Sequence, residues 1–224
     1  MTEIFYTEET VMRLAHEAYT TGQASFPIDA RRAALLIIDM QLDFVQPGLS
    51  PGWIPAATRM IPLLASVLTA VRRAKRPVIH TAFAATHLWL DRPTSGSFMP
   101  NRYPGLPSIA HSNQPSFPPE LQPAADEILI LKPSYGAFYD TPLDTILRNL
   151  NCDTVVITGT LTNLCCGTTA RQAYERGYKV IFAADATATN SAEIHEAELQ
   201  TIRYGFGRVM QAKEIIKLFE EITE

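Results

Sequence analysis

Three side chains in this sequence have the types and positions for nucleophilic chemistry. Cys165 falls where a short β-branched run, Thr154–Gly159 (TVVITG), gives way to a helix-forming segment, Thr160–Arg171 (TLTNLCCGTTAR). A thiol at the start of a helix feels the positive end of the macrodipole and unpaired backbone N–H groups, both of which favour thiolate. Asp39 closes the apolar run Ala33–Ile38 (AALLII), and Lys132 closes Glu127–Leu131 (EILIL). A carboxylate at the end of a buried strand is costly without a partner. A cysteine of ordinary pKa, about 8.5, is only a few per cent thiolate at neutral pH and needs a base or a cation beside it to attack efficiently. Asp39 has the chemistry to take the thiol proton, and Lys132 to stabilise the resulting charge.

The elements that must position these residues follow from hydrophobic period and punctuation. Ala33–Ile38 is apolar on both faces, as a strand covered by helices on both sides must be. Pro77–Ala82, Glu127–Leu131, Thr154–Gly159 and the run starting Val180–Ala184 read as further strands, with Arg208–Met210 as a short edge strand. A helix is predicted from near Pro62, with Leu64, Val67, Leu68 and Val71 facing the sheet. Thr141 opens another helix as its capping residue, and Ser191 caps one that runs through Tyr204. Ala212, Ile215, Ile216, Phe219 and Ile222 give a closing helix its apolar stripe. Six strands alternating with helices predict a three-layer α/β/α domain around a parallel sheet with right-handed crossovers. In such sheets ligands sit beyond the carboxyl ends of the strands.

Residues 31–224 are expected to form this domain, and residues 1–30 an N-terminal helical extension. Thr7 caps a helix there that ends near Gly22. That helix either packs on the outside of the domain or reaches a neighbouring subunit. Phe83–Asp126 holds 8 of the 16 prolines and the aromatics Trp89, Phe98, Tyr103 and Phe117. It reads as a substrate lid, a subunit contact or a small core of its own.

Three segments carry a family resemblance. Gly159-Thr160-Leu161-Thr162-Asn163-Leu164-Cys165-Cys166 with Thr169-Ala170-Arg171 resembles the nucleophile segment of the isochorismatase-like cysteine hydrolases, in which T-[ND]-x-C precedes T-x-R on a helix. Ile37-Ile38-Asp39-Met40-Gln41-Leu42-Asp43-Phe44 and Leu131-Lys132-Pro133-Ser134-Tyr135-Gly136-Ala137-Phe138 resemble the other two segments of that family, in order. The resemblance implies strand order 3-2-1-4-5-6, which brings Asp39, Lys132 and Cys165 to one pocket. It also implies an amidohydrolase working through a thioester on Cys165. Asp39 is then general base and afterwards general acid, with Lys132 oriented against both groups, and the backbone N–H groups of Leu161 and Cys165 hold the oxyanion. A non-proline cis peptide is implied at Thr160–Leu161. Thr160, Phe44, Tyr135, Phe138 and Trp89 are the candidate substrate-binding residues. The motif register selects Cys165 over Cys166, whose side chain sits about 100° further around a helix; Cys166 and Cys152 are assigned to packing.

Tyr135-Gly136-Ala137-Phe138 followed by Thr141-Pro142-Leu143 is most similar to the ureidoacrylate and carbamoyl-type branches. Nicotinamidase-like members carry an Asp-x-His and a nearby second His after the second strand, where this chain has Phe83-Ala84-Ala85-Thr86-His87-Leu88-Trp89. One histidine is not a metal site, so no metal and no cofactor are expected, and the departure counts against nicotinamidase activity. The alternatives are a vinyl ether hydrolase of the isochorismatase type, which does not require the cysteine, and a non-catalytic oligomeric binding module on the same fold. The presence of Cys165 favours the amidase over the first, and the intact Asp, Lys and Cys set over the second.

Composition narrows the remaining classes. A chain of 224 residues with 46% hydrophobic residues suffices for one domain with a substantial core. A net charge of −4 leaves no basic footprint for nucleic acid, and the one basic cluster, Arg72, Arg73, Lys75 and Arg76, sits at a predicted helix end where cations are ordinary. No apolar run approaches the roughly 20 residues of a membrane span. The N-terminus is acidic and polar, unlike a signal peptide, which sets a cytoplasmic expectation. Three cysteines, two of them adjacent, make no disulfide framework. The expected partners are a small-molecule amide or ureido substrate and further copies of the chain, with neither nucleic acid nor membrane.

Overall fold

The computed structural model describes residues 6–84, 91, 93 and 114–222. Six strands, β1 (Ala33–Ile38), β2 (Val78–Phe83), β3 (Ile128–Lys132), β4 (Thr154–Thr160), β5 (Lys179–Ala188) and β6 (Arg208–Met210), form one sheet in the order β3-β2-β1-β4-β5-β6. Every neighbouring pair is parallel. This is the three-layer architecture and strand order expected from the sequence.

Alternation along β1 explains the layering. Leu35 and Ile37 point into a cluster with Leu64, Leu68, Ile215 and Phe219, under α3 (Pro55–Arg73) and α7 (Ala212–Glu220). Ala34, Leu36 and Ile38 point the other way, to Leu143, Leu147, Ala170 and Ile202. Those residues come from α4 (Leu143–Asn149), α5 (Gly167–Glu175) and α6 (Ala192–Gly205). A strand buried on both faces has no polar side to show, hence the unbroken AALLII.

β2 and β3 each lie one residue later than the sequence reading placed them, and two helix starts depart from it. The helix expected from near Pro62 starts at Pro55, which takes the first-turn place, and Pro62 lies inside it. Pro62 is on the exposed face, where water can satisfy the carbonyl one turn back that loses its N–H partner. Thr141 is not the N-cap of α4; Pro142 is, and the Thr141 hydroxyl accepts from the Leu143 N–H at 3.3 Å and donates to the Ala137 carbonyl at 2.5 Å.

The first helix, α1 (Glu8–Thr21), is capped as its sequence predicts: Thr7 accepts from the Thr10 N–H, and Gly22 at φ +88° ends it. It rests on α6 through the stacked rings of Tyr19 and Tyr204, 4.5 Å apart, and through Arg203, which donates to the Tyr19 carbonyl. Its Val11 and Leu14 remain exposed. A further short helix, α2 (Leu42–Val45), follows β1. No helix among the described residues is long and apolar enough to cross a membrane. Most of residues 84–126, where a lid or subunit contact was expected, lie outside the described residues.

Candidate active site

The carboxyl ends of β1, β2, β3 and β4 converge on one point. At the end of β1 the backbone turns to φ +49° at Asp39, a region that L residues occupy only where surroundings hold them. Five contacts do so. The Asp39 N–H lies 3.2 Å from both the carbonyl and the hydroxyl of Thr81 on β2. The Thr81 hydroxyl donates to Asp39 Oδ1 at 2.7 Å. The Thr160 hydroxyl, at the end of β4, donates to the Asp39 carbonyl at 3.1 Å. Asp39 Oδ2 faces the Lys132 ammonium at 2.7 Å, as an ion pair without an aligned hydrogen bond.

Lys132 ends β3 and is fully buried with Asp39. Its Nζ donates to the Ser134 carbonyl at 2.9 Å and stands 5.2 Å from the centre of the Phe83 ring. Burial works against its charge, but Asp39 and Cys165 outweigh that and raise its pKa, so the ammonium persists.

The third group arrives from the turn after β4. The Thr160–Leu161 peptide is cis, and Thr162–Cys166 form a π-helical turn that leads into α5. The Leu161 carbonyl accepts from the N–H groups of Leu164 and Cys166, both at 3.1 Å. His195 on α6 braces the turn: Nε2 donates to the Ala184 carbonyl at 3.0 Å, and Nδ1 lies 2.8 Å from the Thr162 hydroxyl. So braced, the Cys165 thiol is within hydrogen-bonding reach of both Asp39 and Lys132.

The charge state of that thiol differs from expectation. Burial pushes Cys165 up to about 12, with the Asp39 charge adding to it and Lys132 opposing. The helix start was expected to favour thiolate; desolvation wins, and the resting group is a neutral thiol beside a carboxylate. Cys166, fully buried, is held well above the ordinary thiol range by the same cause, and its Sγ donates to the Thr158 carbonyl at 3.7 Å. The adjacent cysteines thus have separate partners.

The remaining candidates fall in different surroundings. Thr160 is buried against Asp39. Tyr135 stacks on Phe83, 6.5 Å between centres, next to the ring that Lys132 overlies. Leu161 is half-buried against the core. Phe44 is buried in the α3-side core. Phe138 packs on Tyr178 under the Arg176 guanidinium. Trp89 and His87 lie outside the described residues. Among the described residues no three His, Cys, Asp or Glu side chains gather as metal ligands. Thr81, Ser134 and His195 were missed by sequence reasoning; a lone Thr in a strand signals only β propensity. Arg171 of the T-x-R motif turns out to bind Glu198 on α6 through both guanidinium nitrogens, at 2.5 and 3.1 Å, and so ties α5 to α6.

Comparison with known proteins finds relatives over most of the chain. The chain is 32% identical to Nicotinamidase 3 of Arabidopsis thaliana over 193 residues, covering 84% of this chain and 88% of that protein. The crystal structure of a cysteine hydrolase from Pseudomonas syringae pv. phaseolicola 1448A superposes with a TM-score of 0.79 at 30% identity, covering 88% of this chain and 97% of the other. That of N-carbamoylsarcosine amidase from Thermoplasma acidophilum superposes at 0.66 with 26% identity, over 81% and 96% of the two chains. Residues 33–214 match the isochorismatase domain model, and the chain therefore belongs to the isochorismatase-like cysteine hydrolase family.

Proposed function

We propose that this protein hydrolyses a C–N amide or ureido bond of a small molecule through a thioester on Cys165. The observation that carries the reading is a neutral thiol in contact with a buried carboxylate whose other neighbour is a buried ammonium. As Sγ bonds to the substrate carbonyl carbon, the thiol proton passes to Asp39, so no free thiolate has to exist beforehand. The N–H groups of Leu161 and Cys165 take the oxyanion. Asp39 returns the proton to the nitrogen, the C–N bond breaks and ammonia or an amine leaves. Water then attacks the thioester, giving its proton to Asp39, and the thiol is restored. Lys132 pairs with Asp39 and offsets the negative charge that develops.

The amide chemistry named for the Arabidopsis and Thermoplasma relatives supports this class. The test is an ammonia-release assay over small carboxamides and ureido acids, nicotinamide included, with wild type and Cys165→Ala. Release by wild type and its loss in the variant are expected; release by Cys165→Ala at the wild-type rate overturns the reading. Chelator treatment is expected to leave the activity unchanged. The exposed Val11 and Leu14 on α1 further support a homo-oligomer in which α1 meets a second copy of the chain.

A further inference from the structure

Thr81 does something to Asp39 that no packing role requires. It is fully buried near the end of β2, 42 positions from Asp39, and contacts it through backbone and side chain together. Backbone pairing alone would satisfy the Asp39 N–H through the Thr81 carbonyl, as it continues the β1–β2 ladder. The hydroxyl adds a two-point clamp, accepting from the Asp39 N–H at 3.2 Å while donating to Oδ1 at 2.7 Å. The consequence is an asymmetric carboxylate. Oδ1 is occupied by a neutral donor; Oδ2 faces Lys132 and has no aligned donor. Oδ1 keeps a second lone pair, but the hydroxyl fixes the plane of the carboxylate and leaves Oδ2 as the oxygen without a hydroxyl or amide donor.

We infer that Thr81 is the positioning residue that selects Oδ2 of Asp39 as the proton-accepting atom for the Cys165 thiol. This rests on the proposed role of Asp39 and assigns the step to one atom and its control to one hydroxyl. The donor also favours the charged carboxylate over the acid. The ionisable groups facing Asp39 here are Lys132 from β3 and Cys165 from the turn after β4. Without the hydroxyl, Oδ1 and Oδ2 become equivalent towards the ammonium, and the carboxylate is free to rotate between them.

The test needs no substrate. Iodoacetamide alkylates Cys165 by forming S–C, expelling iodide and delivering the thiol proton to the acceptor; mass spectrometry of the labelled peptide gives the rate at Cys165 alone. In the wild type, assisted alkylation should give a plateau through neutral pH, with hydroxide-driven reaction taking over towards the thiol pKa. Thr81→Val should lower the plateau about tenfold, leaving the strongly alkaline rate unchanged. Thr81→Ala, which also lacks the hydroxyl but cannot overpack, should behave alike, and Thr81→Ser should restore the wild-type profile. A wild-type plateau in Thr81→Val or Thr81→Ala overturns the inference, as does loss of the plateau in folded Thr81→Ser. Asp39→Asn separates the two readings: if it keeps the plateau, Asp39 is not the acceptor and the proposed function fails at its root; if it abolishes the plateau while Thr81→Val does not, only the role of Thr81 fails.

Discussion

Cys165 and Cys166 are neighbours in sequence with different chemistry, because one residue's rotation in a helical turn takes the first to Asp39 and Lys132 and the second to the Thr158 carbonyl. Cys165→Ala should therefore abolish amide turnover with an unchanged melting temperature, whereas Cys166→Ala should keep most activity and lose some stability. Acyl-enzyme trapping followed by peptide mapping distinguishes them, and label on Cys166 would reverse the assignment. Lys132 holds the thiol pKa down against burial. Lys132→Met should slow Cys165 alkylation and move its alkaline midpoint above that of the wild type. It also strands Asp39 as a buried charge, at a cost of about 3–5 kcal/mol in urea denaturation. Equal midpoints would mean that the lysine does not act on the thiol.

At the scale of elements, β1 and β4 leave no room for a side chain where Asp39 leaves the sheet. Gly159, at φ +106°, pairs with Ile38, and a Cβ there would collide with the Ile38 backbone. Gly159→Ala should cost about 2–4 kcal/mol and displace Asp39, so that activity falls more than stability does. A second device ties α3 to the β2–β3 edge: Glu127 accepts from Arg72 at 2.7 and 2.9 Å and from His80 at 3.0 Å. Burial opposes the Glu127 charge, but Arg72, the Ala124 N–H and His80 together pull its pKa from 4.5 to about 2. That contribution to stability is present above pH 4.5 and is lost as pH falls from there towards about 2. Burial lowers the pKa of His80, so the folded state resists its protonation and loses stability as pH falls through 6.5, the unfolded value. Melting temperatures between pH 7 and 3 should drop in wild type and drop less steeply below pH 4.5 in Glu127→Gln; parallel curves would remove the network from the account.

Across the whole molecule, what could be read from the sequence was what one segment contains. AALLII announces a doubly covered strand by itself, and β1 and β6 have the boundaries expected of them. Asp39, Lys132 and Cys165 stood out as candidates because the first two close apolar runs and the third lies in the segment that resembles the nucleophile motif of the family. Contacts between distant segments were not: Glu127 and Arg72 stand 55 positions apart, and nothing local to either announces the pair. The start of α3 was missed because two prolines seven positions apart both suit a first turn, and only burial of Ala57 and Met60 decides between them. Deleting residues 1–28 should reduce the mass in solution by a whole number of subunits, measured by light scattering, if α1 joins copies of the chain; an unchanged mass would return α1 to its role as a brace on α6.

The hydroxyl of Thr160 and the carbonyl of Asp39 that it meets are 121 positions apart, and the Thr158 hydroxyl reaches the Leu36 carbonyl across 122. Seams of such sequence separation close late in folding, since chain entropy is lost before any contact rewards it. The Cys165 thiol therefore spends the folding reaction without the burial that keeps it protonated in the folded state. During refolding from urea, Cys165 should react with a thiol reagent at the rate of an unstructured cysteine until β1 meets β4, and then fall silent in a single step. Oxidants present while the chain folds would find this thiol in its most vulnerable interval, so the enzyme's exposure to damage is set by how fast one central pair of strands comes together.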